Sequence, residues 1–316
     1  MSVFRLLICA LLLLLGACDA PVATSAAPEG ITARTFQNAD GSVTRIPAPP
    51  QRILSTSVAI TGTLLAIDAP VVASGAAADG RFFGQWRDVA AKRKVENVWP
   101  AGNVDLEAAH AVQPDLIVVA ASGADSAVEQ LGALRGIAPT IVLDYGSQDW
   151  QALARQLGQA TSREASVEAR IAEFDAHVGA ARLKIATPDG EATIISYNGP
   201  GAPNPIARPN GVHGRLLSAL GFRIEAPDPA WHVGTGGPRG DFVWAQYEQL
   251  SRLRGRTTFL IWASDQRVEA FMDDPVLANL PSVKARQVYA LGEDSFRIDY
   301  YSGTQIVDRI VQRFGK

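Results

Sequence analysis

The sequence predicts an α/β protein of two Rossmann-like lobes joined by one long α-helix. Three observations carry this expectation. From Arg52 onward, short aliphatic or β-branched runs alternate with helical patterns, the mark of a doubly wound lobe. Between Trp150 and Lys184 the alternation stops and almost every residue favours helix. From Thr193 it resumes and runs to the C-terminus. The expected boundaries are an N-terminal lobe over residues 45–149, an interlobe helix over 150–186 and a C-terminal lobe over 187–316.

The elements follow in order. Arg52-Ile53-Leu54-Ser55 reads as the first strand. Thr56 or Ser57 can cap a helix through Leu64, Leu65 and Ile67, which Ala69-Pro70 ends. Val71 to Ser74 is the next strand, and Leu106 to Val112 a helix broken by Gln113-Pro114-Asp115. Leu116 to Ala120 lacks polar alternation, as a strand buried on both faces should. A helix through Leu131 and Leu134 leads to the strand Thr140 to Leu143. The helical stretch is interrupted near Gly158 to Ser162. Beyond that, Val167, Ile171, Phe174 and Val178 share one stripe until Thr187-Pro188-Asp189-Gly190. The second lobe should contain strands Thr193 to Ser196, Thr258 to Ile261 and Val288 to Leu291. Its helices are expected over Gly214 to Leu220, Phe242 to Leu253 and Tyr300 to Phe314.

The N-terminus reads as a targeting signal over residues 1–18. Arg5 supplies a positive charge, and Leu6 to Leu15 is apolar. That run is shorter than the roughly 20 residues a spanning helix needs. Leu15-Gly16-Ala17-Cys18 then gives way to Asp19, the layout of a secretory signal and its cleavage site. These four residues resemble a bacterial lipobox, in which Cys18 is lipidated and becomes the new N-terminus. The alternative is ordinary cleavage after Ala20. Asp19 resembles an inner-membrane retention signal. Residues 19–44 are expected to form a tether and N-terminal extension, with Ala20 to Gly30 rich in Ala, Pro, Ser and Thr. Cys9 and Cys18 are the only cysteines, so the body beyond them must be stabilised by packing rather than disulfides. Net charge is −3 without a basic block, which argues against nucleic acid as a partner.

The body, over nearly all of Arg45 to Phe314, resembles the binding proteins of iron-siderophore and vitamin B12 importers. The general marks are Gln51-Arg52-Ile53-Leu54, Asp105-Leu106-Glu107 and Gln113-Pro114-Asp115-Leu116-Ile117. Two longer stretches are similar to the ferric-enterobactin binding members: Ser55 through Val71, and Val288 to Gly292 followed by Ser295-Phe296-Arg297-Ile298-Asp299-Tyr300-Tyr301-Ser302. The region from Asn198 to Gly240 matches less well. The resemblance implies a class III periplasmic binding fold, with a stiff joining helix and a ligand cleft between the lobes. It implies capture of a ferric siderophore, ferric enterobactin or a related catecholate, by a monomeric receptor anchored by lipid to the inner membrane in the periplasm. Its partners would be an inner-membrane ABC permease dimer with its ATPase. No cofactor is implied, since ferric iron arrives only within the siderophore.

A ferric catecholate is anionic and aromatic, so its receptor needs guanidinium groups and ring faces. Arg81 and Phe82 lie just past the strand Val71 to Ser74, and Phe296 and Arg297 just past Val288 to Leu291. These are the expected ligand residues, one arginine per lobe on a strand-end loop; surface or interlobe salt bridges are the alternative. Trp231, in a loop rich in Pro and Gly, is either a stacking partner or a core plug. Arg239 is a further ligand candidate in that loop, and Arg208 another nearby. The B12-type relatives dock on the permease through one glutamate per lobe, which points to Glu107 and Glu248. Helix-dipole chemistry is their structural alternative.

Rival functions are less well supported. The four histidines, His110, His177, His213 and His232, show no ligand spacing for a bare metal ion. No Gly-x-Ser-x-Gly, Cys nucleophile or His-Glu-x-x-His appears, so an enzyme is not expected. The same fold binding haem, cobalamin or a hydroxamate siderophore is the alternative that keeps the architecture.

Overall fold

The computed structural model describes residues 33–234 and 240–316. A hairpin comes first, β1 (Arg34–Gln37) and β2 (Val43–Ile46), paired antiparallel. The N-terminal lobe continues through β3 (Ile53–Ser55), α1 (Val58–Ala66), β4 (Val71–Ala76), α2 (Gly84–Lys92) and β5 (Glu96–Pro100). It is completed by α3 (Leu106–Ala111), β6 (Leu116–Ala120), α4 (Leu131–Ile137) and β7 (Thr140–Leu143). The five strands β3 to β7 are parallel, in the order β5-β4-β3-β6-β7. Every residue of β3, β6 and β7 is buried, because helices cover both faces of such a sheet.

The hairpin departs from the expectation of a tether and extension over residues 19–44. It is bound to the edge of the N-terminal lobe: the Thr44 hydroxyl donates to the Thr140 carbonyl at 2.6 Å, and the Val142 N–H donates to Asn38 Oδ1 at 2.9 Å. Residues 1–32, with the signal, Cys18 and the Ala20 to Gly30 segment, lie outside the described residues.

The helical stretch 150–186 holds α5 (Trp150–Thr161) and one long helix, α6 (Glu164–Lys184), of 21 residues, with the expected interruption between them. Ser162 takes a left-handed conformation (φ 58°) and the Arg163 N–H closes back on the Gly158 carbonyl at 2.9 Å. A Cβ on Gly158 would lie 2.6 Å from Val167 Cγ2, so the missing side chain is what lets the two helices meet so tightly.

The C-terminal lobe comprises β8 (Glu191–Ile195), β9 (Asn204–Ala207), α7 (Val212–Ala219), β10 (Arg223–Ile224) and β11 (Phe242–Ala245). It goes on through β12 (Thr257–Leu260), α8 (Asp265–Met272), α9 (Pro281–Lys284), β13 (Val288–Ala290) and α10 (Tyr300–Phe314). Its sheet runs β11-β9-β8-β12-β13, with β10 paired to β8. β8, β12 and β13 are parallel, and β9 is antiparallel to both β8 and β11. The expected helix Phe242 to Leu253 is instead β11 followed by a 3-10 turn, Tyr247–Arg252. Phe242-Val243-Trp244-Ala245 alternates half-buried and buried positions, and full pairing with β9 overrides its helical reading.

The last helix ties the lobes together. Asp299 caps α10 in a reciprocal capping box with Ser302, and its Oδ2 accepts from Gln85 Nε2 of α2 at 3.3 Å. A Cβ on Gly62 of α1 would overlap the Asp299 carboxylate and come within 2.7 Å of Trp86 Cδ1. On α6, the Arg170 Nε donates to the Ala66 carbonyl at 2.8 Å, and its guanidinium lies 4.8 Å from the Tyr300 ring centroid. The Arg215 guanidinium of α7 reaches Asp149, the cap of α5, at 3.2 Å.

Candidate functional site: a cleft at the strand ends of both lobes

The loops that leave the carboxyl ends of β4, β7, β12 and β13 converge on a crevice between the lobes. This is where open α/β sheets place ligands. The crevice has two compartments. The outer one, about 580 Å³, is lined by Arg81, Phe82, Arg87, Trp262, Phe296 and Arg297, among others. The inner one, about 230 Å³, is lined by Tyr145, Trp150, His213, Asp241, Phe242 and again Phe296 and Arg297. Phe296 and Arg297 therefore belong to both.

Arg297 reaches the N-terminal lobe. Its guanidinium sits 4.4 Å from the centroid of the Tyr145 ring and 6.0 Å from that of Phe296. It makes no ion pair and no side-chain hydrogen bond among the described residues. Tyr145 is itself fixed: its hydroxyl donates to Asp125 Oδ1 at 2.8 Å. Asp125 Oδ2 accepts from the Ser57 hydroxyl at 2.5 Å and the Ala59 N–H at 3.0 Å, at the start of α1. Burial first, then the Asp125 charge, pushes the Tyr145 phenol well above its ordinary range. Gly123, at φ +104°, leaves the room that the Tyr145 hydroxyl occupies.

The Phe296-Arg297 loop is held from behind. Burial lowers His213 to about 4, so its ring is neutral at pH 7 and Nε2–H donates to the Ser295 carbonyl at 2.8 Å. Phe296 stacks on Phe242 at 6.1 Å with the planes 4° apart. Burial raises the Asp241 carboxyl, against the lowering effect of Arg215.

Arg81 lines the outer compartment but is already engaged. Its side chain is 73% exposed, and Nε and Nη2 both reach Asp79 Oδ2 at 2.9 Å. Phe82 packs on Trp86 at 5.0 Å between centroids. Arg87 donates to the Phe82 carbonyl at 3.1 Å. Two more carboxylates, Glu293 and Asp294, line the same space. Asp294 lies against the first residue of α2, since a Cβ on Gly84 would be 2.5 Å from both its oxygens. The amino end of a helix favours such a charge.

Other expected residues lie elsewhere. Trp231 ends a 3-10 turn, Pro229–Trp231, and packs on the core of the C-terminal lobe; it lines neither compartment. Arg208 lines neither as well, and Arg239 lies outside the described residues. Glu107 is exposed in the first turn of α3, and Glu248 is exposed in the first turn of the 3-10 helix after β11. β5 and β11 are edge strands of their sheets. Each glutamate thus follows the carboxyl end of an outermost strand, on the side where the cleft opens. Sequence reasoning missed Tyr145 and Trp262, although each stands two residues beyond a strand end.

Comparison with known proteins gives a uniform result. The family described as periplasmic binding protein matches residues 53–295. The ferric enterobactin-binding periplasmic protein FepB of Escherichia coli O6:H1 is 39% identical over 274 residues, covering 84% of this chain and 86% of its own. The crystal structure of holo-ViuP superposes with a TM-score of 0.86 at 51% identity, covering 90% of this chain and 95% of that one. The catecholate-siderophore binding protein VctP of Vibrio cholerae, at 19% identity and a TM-score of 0.61, shares the fold over 89% of this chain and 98% of its own. With the two-lobed architecture and the interlobe cleft, these matches establish that the chain belongs to the periplasmic binding protein family.

Proposed function

We propose that this protein is the substrate-binding component of an ABC importer that captures a ferric siderophore, ferric enterobactin or a related catecholate, and delivers it to an inner-membrane permease. The observation that carries the reading is the interlobe cleft. It contains a guanidinium, Arg297, that has no carboxylate partner among the described residues and is set among the rings of Tyr145 and Phe296. A catecholate complex offers anionic oxygens for such a group and flat rings for the aromatics. Each charge-assisted hydrogen bond from the guanidinium contributes about 1.5–3 kcal/mol. The similarity to the ferric enterobactin-binding relative supports the same ligand class.

Arg81 joins Arg297 in this reading by exchanging Asp79 for ligand oxygens, and Phe82 and Phe296 pack against the rings. Arg239 is retained as a third cation, and Trp231 serves as packing beneath its loop. Glu107 and Glu248 meet cationic residues of the permease, one per lobe, while ATP is hydrolysed by a separate subunit. Cys18 carries the lipid that holds the monomeric protein at the inner membrane after removal of residues 1–18.

The test is a titration of protein lacking residues 1–18 with ferric enterobactin, a ferric hydroxamate and haem, read by quenching of tryptophan fluorescence. Binding of the catecholate far tighter than that of the hydroxamate or haem, weakened about 10-fold or more by Arg297→Ala, is the expected result. Preference for another ligand would discard the catecholate assignment and keep the importer role.

A further inference from the structure

The ligand reading leaves one aromatic unexplained. Trp262 stands two residues past the end of β12, and it is 64% exposed, whereas Trp86, Trp99 and Trp150 are buried. Its backbone is left-handed, at φ +54°, a conformation that bulky L residues rarely adopt. A network holds it there. The Trp262 N–H donates to Ser295 Oγ at 2.9 Å, and the Ser295 hydroxyl donates to the Gly292 carbonyl at 2.6 Å. The Ala263 N–H reaches the same carbonyl at 3.2 Å. Ser295 is only 2% exposed, and its carbonyl is the acceptor for His213. One buried serine thus fixes both the Phe296-Arg297 loop and the tryptophan.

The ring this network holds out has little to rest on. Its aromatic neighbour is Phe296, at 6.3 Å and tilted by 53°. Otherwise it lines the outer compartment with Arg81, Phe82 and Arg297. Strained backbone that displays a large apolar surface inside a cavity is explained by a partner that arrives from outside. A flat ring beside arginines selects a ligand that is both aromatic and anionic.

We propose that Trp262 is a specificity-determining wall of the outer compartment, stacking on an aromatic chelating arm of the bound complex and so favouring aromatic over aliphatic chelators. This rests on the siderophore reading of the cleft. The experiment is equilibrium dialysis of iron-labelled ferric enterobactin and of a ferric trihydroxamate, using wild-type protein, Trp262→Ala and Trp262→Phe. Dialysis avoids reading affinity through the fluorophore being removed, and thermal unfolding of each variant checks the fold. Trp262→Ala should weaken ferric enterobactin about tenfold, and Trp262→Phe should stay within about threefold. The trihydroxamate affinity should be the same in all three proteins.

Unchanged catecholate affinity in Trp262→Ala overturns the proposal, as does an equal loss for both complexes. Wild-type protein that binds neither complex overturns the siderophore reading itself, and the role of Trp262 falls with it. That failure is distinct because it shows before any variant is tested.

Discussion

Asp299 is a carboxyl group buried at the junction of the lobes, and replacing it should change how stability depends on pH. Burial raises it to about 6, against the lowering effect of hydrogen bonds from the Ser302 N–H and Gln85. In the unfolded chain it returns to an ordinary value near 3.8. Below that value both states are protonated, and the group's contribution to stability is fully present. Between about 4 and 6 the unfolded state loses its proton while the folded state keeps it, so stability falls as pH rises. The gap corresponds to about 3 kcal/mol, complete above pH 7. Asp299→Asn keeps an oxygen to cap α10 and cannot ionise. Urea unfolding from pH 4 to 8 should therefore show the variant gaining on wild type by about 3 kcal/mol across this range. A difference between the two proteins that is flat with pH would refute the reasoning, because the buried carboxyl would then titrate alike in both states.

Three further perturbations separate scaffold from site. Gly62→Ala inserts a methyl group between the Asp299 carboxylate and the Trp86 ring. The overlap costs about 1–3 kcal/mol and the helix preference of alanine returns about 1; thermal unfolding should show a net loss, and a raised midpoint would contradict the packing described. Tyr145→Phe keeps the ring beneath Arg297 and removes the donor to Asp125. It should lower stability by about 1 kcal/mol and change ferric enterobactin affinity by less than about threefold, whereas Tyr145→Ala should weaken binding further. Glu107→Gln with Glu248→Gln should leave ligand affinity intact and abolish uptake in cells that rely on this protein. A collapse in affinity would make those acids structural.

Much of the fold is legible in sequence, for identifiable reasons. β6 and β7 read correctly because burial on both faces removes polar residues from them, and Ser57 reads as a cap because its side chain acts three residues away. β11 was hidden because its strand state depends on β9, some 40 residues earlier in the chain. The first hairpin carries a local signal of its own, Asp40-Gly41 between alternating runs, with Gly41 at φ +81°. In the site, Arg297 and Phe296 were accessible from the strand-end rule, and the same rule reaches Tyr145 and Trp262. What made those two aromatics functional candidates is not local. The handedness of Trp262 depends on Ser295, 33 residues away, and the placement of Tyr145 on Asp125, 20 residues away.

The charges around the cleft explain how a lining with as many acids as bases can still receive an anion. In the outer compartment Arg81, Arg87 and Arg297 face Asp79, Glu293 and Asp294. Asp79 is held by Arg81, and the Arg81 N–H and guanidinium in turn keep its carboxyl below the usual range. Asp294 is turned toward the amino end of α2. Arg297 rests on the face of Tyr145 rather than on a carboxylate. A ring face orients a cation without neutralising it, at about 0.5–2 kcal/mol. Had Arg297 been paired with a buried carboxylate, an incoming anion would have had to strand that carboxylate, at several kcal/mol. Parked on Tyr145, the guanidinium can donate to ligand oxygens while keeping its ring contact, so the cleft is oriented for an anion before one arrives.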